Sequence, residues 1–437
     1  ATATAQTLSI TGGTGSVTGD GDGGVASATL AATSTFSGIV LDDGLTTASQ
    51  GTGGAATLTL TSTLDQTITG AVTAAADGEG AIVVATGVND KITTFASNIG
   101  TSAVRLKTLN VTSVSEKSSE GNFNGDVYVD AITLTGHDAN GEVDAFFAKN
   151  AGFTTLTLDK VGGDEATATF DGTTAQTITG SILGAVAGDG AISVTNTAGT
   201  VTFASALGAT KLGSVTLAAS TTTVFDSTLS SATLSASGAM TLKGAVTLTG
   251  VLTTGNGSTI TLGTAFKDGG ATAITATDST DGINQTGGAV TVNVSNQFTT
   301  GTVVLLENTT ALDANDLAAF TVTDTALVDY TLASATGTAA LSQITITAAK
   351  RTTAGIATYL GMSTAQSAAL GQISAAVASG DATASTALDT VLVTGGSTAV
   401  NAAEQLNSDA GAAMGAAMAV TGGVNNVIAG RQANTKI

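Results

Sequence analysis

Residues 62–70, Ser62-Thr63-Leu64-Asp65-Gln66-Thr67-Ile68-Thr69-Gly70, come back later as Gly172-Thr173-Thr174-Ala175-Gln176-Thr177-Ile178-Thr179-Gly180. The next segment keeps the same offset, with Asp77-Gly78-Glu79-Gly80-Ala81-Ile82 answered by Ala187-Gly188-Asp189-Gly190-Ala191-Ile192. A third pair, Thr94-Phe95-Ala96-Ser97-Asn98-Ile99-Gly100 against Thr202-Phe203-Ala204-Ser205-Ala206-Leu207-Gly208, follows a small slip of the kind a surface turn absorbs. Repetition with slippage confined to turns marks an array of stacked units, none of which can bury its apolar face alone. The chain therefore reads as a solenoid.

Composition agrees. A chain of 437 residues exceeds one compact core, yet no linker or charge run marks a boundary before about residue 350. With 12 Phe, 3 Tyr and no Trp, the interior must be filled by Thr, Val, Ile, Leu and Ala in thin layers, as in a β-helix. The formal charge of −20, from 33 acidic and 13 basic side chains, removes the phosphate attraction that nucleic-acid binding needs, so no nucleic-acid partner is expected. Cys is absent, which excludes disulfides and thiolate metal sites and leaves the redox compartment open. No run of about 18 apolar residues is present to span a membrane as a helix. The opening Ala1-Thr2-Ala3-Thr4-Ala5, without Met or a basic region, fits a mature terminus left by signal-peptide removal. The expected location is extracellular, at the bacterial cell surface.

Along residues 6–60, Thr7-Leu8-Ser9-Ile10, Gly38-Ile39-Val40-Leu41 and Ala56-Thr57-Leu58-Thr59-Leu60 alternate hydroxyl and apolar residues, the period of half-buried strands. Between them, Asp20, Asp22, Asp42 and Asp43 sit on glycine turns. Such oxygen ligands could hold Ca²⁺, although the spacing is neither the EF-hand nor the nonapeptide repeat, and solvated turn carboxylates are the plainer reading. No other cofactor is expected.

Residues 113–165 read as a more charged, insert-like region within the duplicated block. It carries Ser115-Glu116-Lys117-Ser118-Ser119-Glu120, the sole histidine His137, Asp138, Glu142, Asp144, Phe146 and Phe147. Interruptions of an array usually map to one face, which makes His137, Phe146 and Phe147 candidate ligand contacts. The alternative is a wider coil whose Phe146, Phe147 and Phe153 fill a larger core. From 213 to 265 short apolar runs arrive every seven to ten residues, giving two or three faces per turn of about twenty residues, a parallel β-helix. At ~4.8 Å per coil, about 350 residues would give roughly seventeen coils and a rod of about 80 Å. The absence of Pro fits strands that donate every backbone N–H to a neighbour.

After Lys350-Arg351 the period changes. Ser363-Thr364-Ala365-Gln366 resembles a capping box ahead of Ala369, Leu370, Ile373 and Val377, and Leu388, Val391 and Leu392 mark a second short helix. Asp409 can open a third, whose Met414, Met418, Val424, Val427 and Ile428 share a face and form a candidate assembly stripe. The expected organisation is a β-solenoid over 1–350 and an α-helical tail over 351–437.

Ala402-Ala403-Glu404-Gln405-Leu406-Asn407-Ser408-Asp409, the Ala/Met-rich run and Val424-Asn425-Asn426-Val427-Ile428-Ala429-Gly430-Arg431 resemble the junction of type V autotransporters, where an exported passenger meets its membrane barrel. The Gln-Thr-Ile-Thr-Gly and Thr-Phe-Ala-Ser blocks look like repeats in passengers of the rickettsial surface-layer autotransporter antigens. The resemblance implies a helical, pore-threading tail and an outer-membrane barrel partner, cleaved or absent here. It departs at Asn407, where the family usually has Pro.

Catalysis is not expected. A serine protease needs a base and an oxyanion hole, and His137 with Asp138 has no Gly-Asp-Ser-Gly motif to serve. A β-helical glycan-processing enzyme needs paired carboxylates with basic neighbours, whereas the acidic residues here are scattered over turns. The first reading is a structural protein that self-associates into a surface layer or filament, the alternative an adhesin presenting 113–165 to a host or cell-surface ligand, and a glycan-processing β-helix enzyme stands third behind them.

Overall fold

The computed structural model describes residues 14–18, 26–30, 38–42 and, apart from short breaks, 56–368. It divides into two units, the first made of Ala1–Ser295, Thr302–Val322 and Leu332–Ile346, the second of Asn296–Gly301, Thr323–Thr331 and Thr347–Ile437. The tail helices expected beyond residue 368, and the stripe Met414, Met418, Val424, Val427 and Ile428, lie outside the described residues.

The first unit is a parallel β-solenoid of about nine turns. Alternation drives it: in Ala56–Leu60 and Glu79–Val84 every second side chain is buried, and burial of each Leu, Ile or Phe stabilises by about 1.5–3 kcal/mol. Three faces make a turn. The first carries Ala56–Leu60, Glu79–Val84 and Leu106–Thr112 in parallel pairing. On the second, Gln66–Ile68, Lys91–Phe95, Ser119–Phe123, Val143–Phe147, Ala166–Phe170 and Asp189–Val194 follow one another. The third runs from Gly38–Asp42 through Ala71–Ala74, Ile99, Val127 and Ala151 to residues 176–178, Thr200–Phe203 and Thr222–Phe225. Turns range from 17 residues, between Phe225 and Leu242, to 33, between Gly38 and Ala71. Most are longer than the twenty expected, and the turns are correspondingly fewer than seventeen.

The duplicated sequence does not return to its own face. Gln66–Ile68 lies on the second face and its copy 176–178 on the third. Likewise Glu79–Val84 lies on the first and Asp189–Val194 on the second, while Lys91–Phe95 lies on the second and Thr200–Phe203 on the third. The copy is thus displaced by four turns and one further face. Local geometry survives the displacement. Ala76 N–H donates to Glu79 Oε2 (3.0 Å) as Val186 N–H does to Asp189 Oδ2 (3.1 Å). Gly78 N–H bonds the Arg105 carbonyl as Gly188 N–H bonds that of Lys211, each at 2.8–3.0 Å. Gly80 and Gly190 both take φ +75°, where a Cβ would strike Leu41 and Leu158 respectively.

The core aromatics follow the same displacement. Phe95, Phe123, Phe147 and Phe170 stack on the second face with ring centres 5.2–5.5 Å apart. Phe203 and Phe225 continue the stack on the third at 5.5 Å. The described strands of 113–165 therefore belong to ordinary turns: Ser119–Phe123 and Val143–Phe147 pair in register with each other and with the strands on either side. Their charges simply occupy outward positions, such as Glu120 and Asp144, while Phe147 and Phe153 are buried.

In the second unit Arg351 is a hub. Its guanidinium bonds Asp324 (2.8 Å), the Thr325 carbonyl (3.2 Å) and Asp329 (3.5 Å), and lies over the Tyr359 ring at 4.6 Å. Helix Thr353–Tyr359 begins where the periodicity changes, capped by Thr352, whose hydroxyl accepts the Gly355 N–H at 3.1 Å. Helix Ala314–Ala318 belongs to the first unit.

Candidate functional site

The corner between the second and third faces is built from one recurring motif, an aromatic residue, three corner residues and an apolar residue: Phe95 to Ile99, Phe123 to Val127, Phe147 to Ala151. Each first corner residue donates its N–H to the preceding turn, as Asn124 does to the Phe95 carbonyl at 2.9 Å. The third corner residue is Asn98, Asp126 and Asn150 in turn. These side chains form a ladder: Asn98 Oδ1 accepts the Asp126 N–H (2.9 Å), Asp126 Oδ1 accepts both the Asn150 N–H and Nδ2 (3.1 Å each), and Asn150 Oδ1 accepts the Thr177 N–H (2.9 Å).

Alongside this ladder runs an open groove of about 440 Å³. Its floor is Ala71, Ala96 and Gly125, and its polar lining is Ser97, Asn98, Asn124, Asp126 and Lys149. Gly125 is required because a Cβ there would meet the Ser97 backbone of the turn below. Chemically the groove offers amides, one carboxylate and one ammonium, with no aromatic platform and no paired acid and base.

The residues singled out by sequence fall elsewhere. His137 is exposed past the end of Val127–Thr135, its N–H donating to the Gly141 carbonyl at 3.3 Å. Phe146 is half-buried on the outward side of Val143–Phe147. Phe147 is a correction: it packs between Phe123 and Phe170 in the core and cannot meet a ligand. Asp42 closes strand Gly38–Asp42 opposite Thr18, and its carboxylate, with Asp20, Asp22 and Asp43, lies outside the described residues. Among the described residues no group of three or more His, Asp or Glu is placed to hold a metal, and no helix is long and apolar enough to cross a membrane.

Outward on the second face, burial pushes the Asp144 carboxyl above its ordinary value; the Thr167 hydrogen bond opposes this and the Glu142 charge adds to it. The groove residues Asn124, Asp126 and Lys149 were missed because, read linearly, they are unremarkable; the signal was their fixed distance after Phe123 and Phe147.

Comparison of the chain with protein families, curated proteins and solved structures finds no match. The fold defines an architectural class, a parallel β-solenoid.

Proposed function

We propose that this chain is a structural, extracellular protein of the bacterial surface that self-associates into a layer or filament, the passenger portion of a type V autotransporter. The observation that carries this reading is the outward column of the second face. Thr94, Asn122, Phe146, Thr169, Ser193, Thr216 and Ser235 follow one another in register. Six of the seven are uncharged hydrogen-bonding residues repeating every ~4.8 Å; five of these six reach the surface and Thr169 is buried beside Phe146, so most steps are open to another copy. The charge of −20 keeps single molecules apart until salt or a divalent cation screens it. Electron microscopy of the full chain across ionic strength and Ca²⁺ concentration tests this. Sheets or fibres are expected, and truncation near residue 408 should suppress them while leaving the solenoid folded. Monomers under every condition would defeat the proposal.

A second reading, an adhesin acting through 113–165, is favoured by the groove, since Asn124, Gly125, Asp126 and Lys149 all belong to that segment. Replacing Asn124 and Lys149 with Ala should abolish cell adhesion and leave assembly intact.

A further inference from the structure

The corner groove differs from the equivalent corner one face on in a way that points to a ligand. There the motif recurs as Phe203 to Leu207, Phe225 to Leu229 and Leu242 to Val246, with the same backbone bonds. Its polar groups satisfy one another: Lys243 Nζ lies 2.6 Å from Asp226 Oδ1. In the groove the Asn124 amide and the Lys149 ammonium have no partner among the described residues, although both line the same open space. Unused donors and acceptors gathered over a floor of Ala and Gly are the makings of a polar binding site.

We propose that this groove binds a neutral glycan chain. Sugar hydroxyls donate and accept together, which suits a lining of Asp126 as acceptor, Lys149 as donor and the Asn98 and Asn124 amides as both. The lining spans successive turns from Ala71 to Lys149 at ~4.8 Å each, close to the length of one hexose unit in an extended chain. Asp126 and Lys149 cancel in charge, and the −20 of the whole molecule repels acidic polysaccharides before they arrive. A peptide fits less well. The strands flanking the groove already pair their backbones across it, as Ile99 N–H does with the Asp126 carbonyl (2.9 Å), so no edge is free for strand addition. Nor does the lining hold an apolar pocket for a side-chain anchor. The inference deepens the adhesin reading and takes its segment from it.

The test is titration calorimetry of the full chain with neutral tetrasaccharides (cello-, manno- and maltotetraose), a tetragalacturonate and a zwitterionic tetrapeptide. At least one neutral tetraose should bind, more tightly than its disaccharide. Asn124→Ala and Lys149→Ala should each weaken binding about tenfold, as loss of one hydrogen bond to a charged or well-placed group does. Neither side chain supports the ladder, so thermal midpoints should not move. Asp126→Asn, which keeps the carbonyl that Asn150 needs, should weaken binding without unfolding the corner. Binding of the acidic or peptide probe alone, no binding of any probe, or neutral binding indifferent to these substitutions overturns the proposal. Glycan binding by the purified chain together with failure of whole-cell adhesion would leave the site standing and remove only the adhesin reading.

Discussion

Phe170 meets Phe203 edge to face, ring centres 5.1 Å apart and planes at 85°. The other core rings along the stack lie at 9–24°. This contact is where the aromatic column passes from the second face to the third. Below it the column is Phe95, Phe123, Phe147 and Phe170; above it, Phe203 and Phe225. Phe203→Ala should cost about 3–5 kcal/mol, as buried Phe truncations do. The double variant with Phe170→Ala should show a coupling of about 0.5–1.5 kcal/mol beyond additivity. Urea midpoints of the four proteins give both quantities; strictly additive losses would mean the hand-over between faces has no energetic weight.

The repeat supplies its own experiment at Asn98, whose counterpart is Ala206. Asn98→Ala removes the acceptor of the Asp126 N–H and should cost about 1 kcal/mol. Ala206→Asn offers the same side chain at the equivalent corner one face on and should raise the urea midpoint. Both effects are read from the same denaturation series, and a destabilising Ala206→Asn would show that the two corners are not interchangeable.

Gly80→Ala and Gly190→Ala each place a Cβ at φ +75° against a leucine of the turn below. Both should be destabilising by more than about 1 kcal/mol, the ordinary cost of a left-handed non-glycine residue, because the clash adds to it. Similar losses at the two sites, measured by thermal melts, are expected although one turn follows the third face and the other the first.

Asp144, Asp159 and Asp171 all hold their protons to higher pH than an unfolded chain would. Burial is the main cause in each, reinforced by Glu142 for the first and Asp189 for the second, and opposed by a backbone hydrogen bond for the third. Between the unfolded and folded pKa values the native state binds more protons, so stability is greater on the acid side and falls as pH rises through that window. Thermal midpoints should therefore climb as pH is lowered from neutral into the mildly acidic range. Asp144→Asn should raise the neutral midpoint and flatten the profile. A midpoint that drops steadily over the same range would contradict this.

In the second unit, Arg351→Ala leaves the Asp324 carboxylate, among the described residues, with the Tyr330 N–H at 2.8 Å. Hydrogen exchange should speed up across 323–331 and 351–359, while protection of the solenoid strands stays unchanged. A loss of about 1–3 kcal/mol in local protection matches a charge-assisted pair with one partly exposed partner.

How much of this was legible in the sequence depends on what alternation can convey. The Thr/apolar alternation of Ala56–Leu60 states which side chains point inward, and those strands formed as expected. It does not state direction around the axis, so the offset between Gln66 and Gln176 does not tell which face the copy takes, and the structure puts it one face on. Charge misled in 113–165, because Glu120 and Asp144 occupy outward positions of regular strands and say nothing against a core beneath. The spacing of Phe95, Phe123, Phe147 and Phe170, one per turn, was the signal that would have corrected both turn length and insert. For the groove the linear sequence held less: Asn98, Asn124 and Lys149 converge only because three corners of equal length are stacked.

The displaced repeat carries a consequence for how such a chain can lengthen. Because a copied block folds with the same corner bonds on whichever face it lands, growth is not restricted to whole turns; a third of a turn is an acceptable increment. Each copy then points its outward residues along a new bearing. A protein elongated in this way does not widen one stripe of surface but distributes a single motif around its circumference, so that neighbours approaching from different sides meet related chemistry.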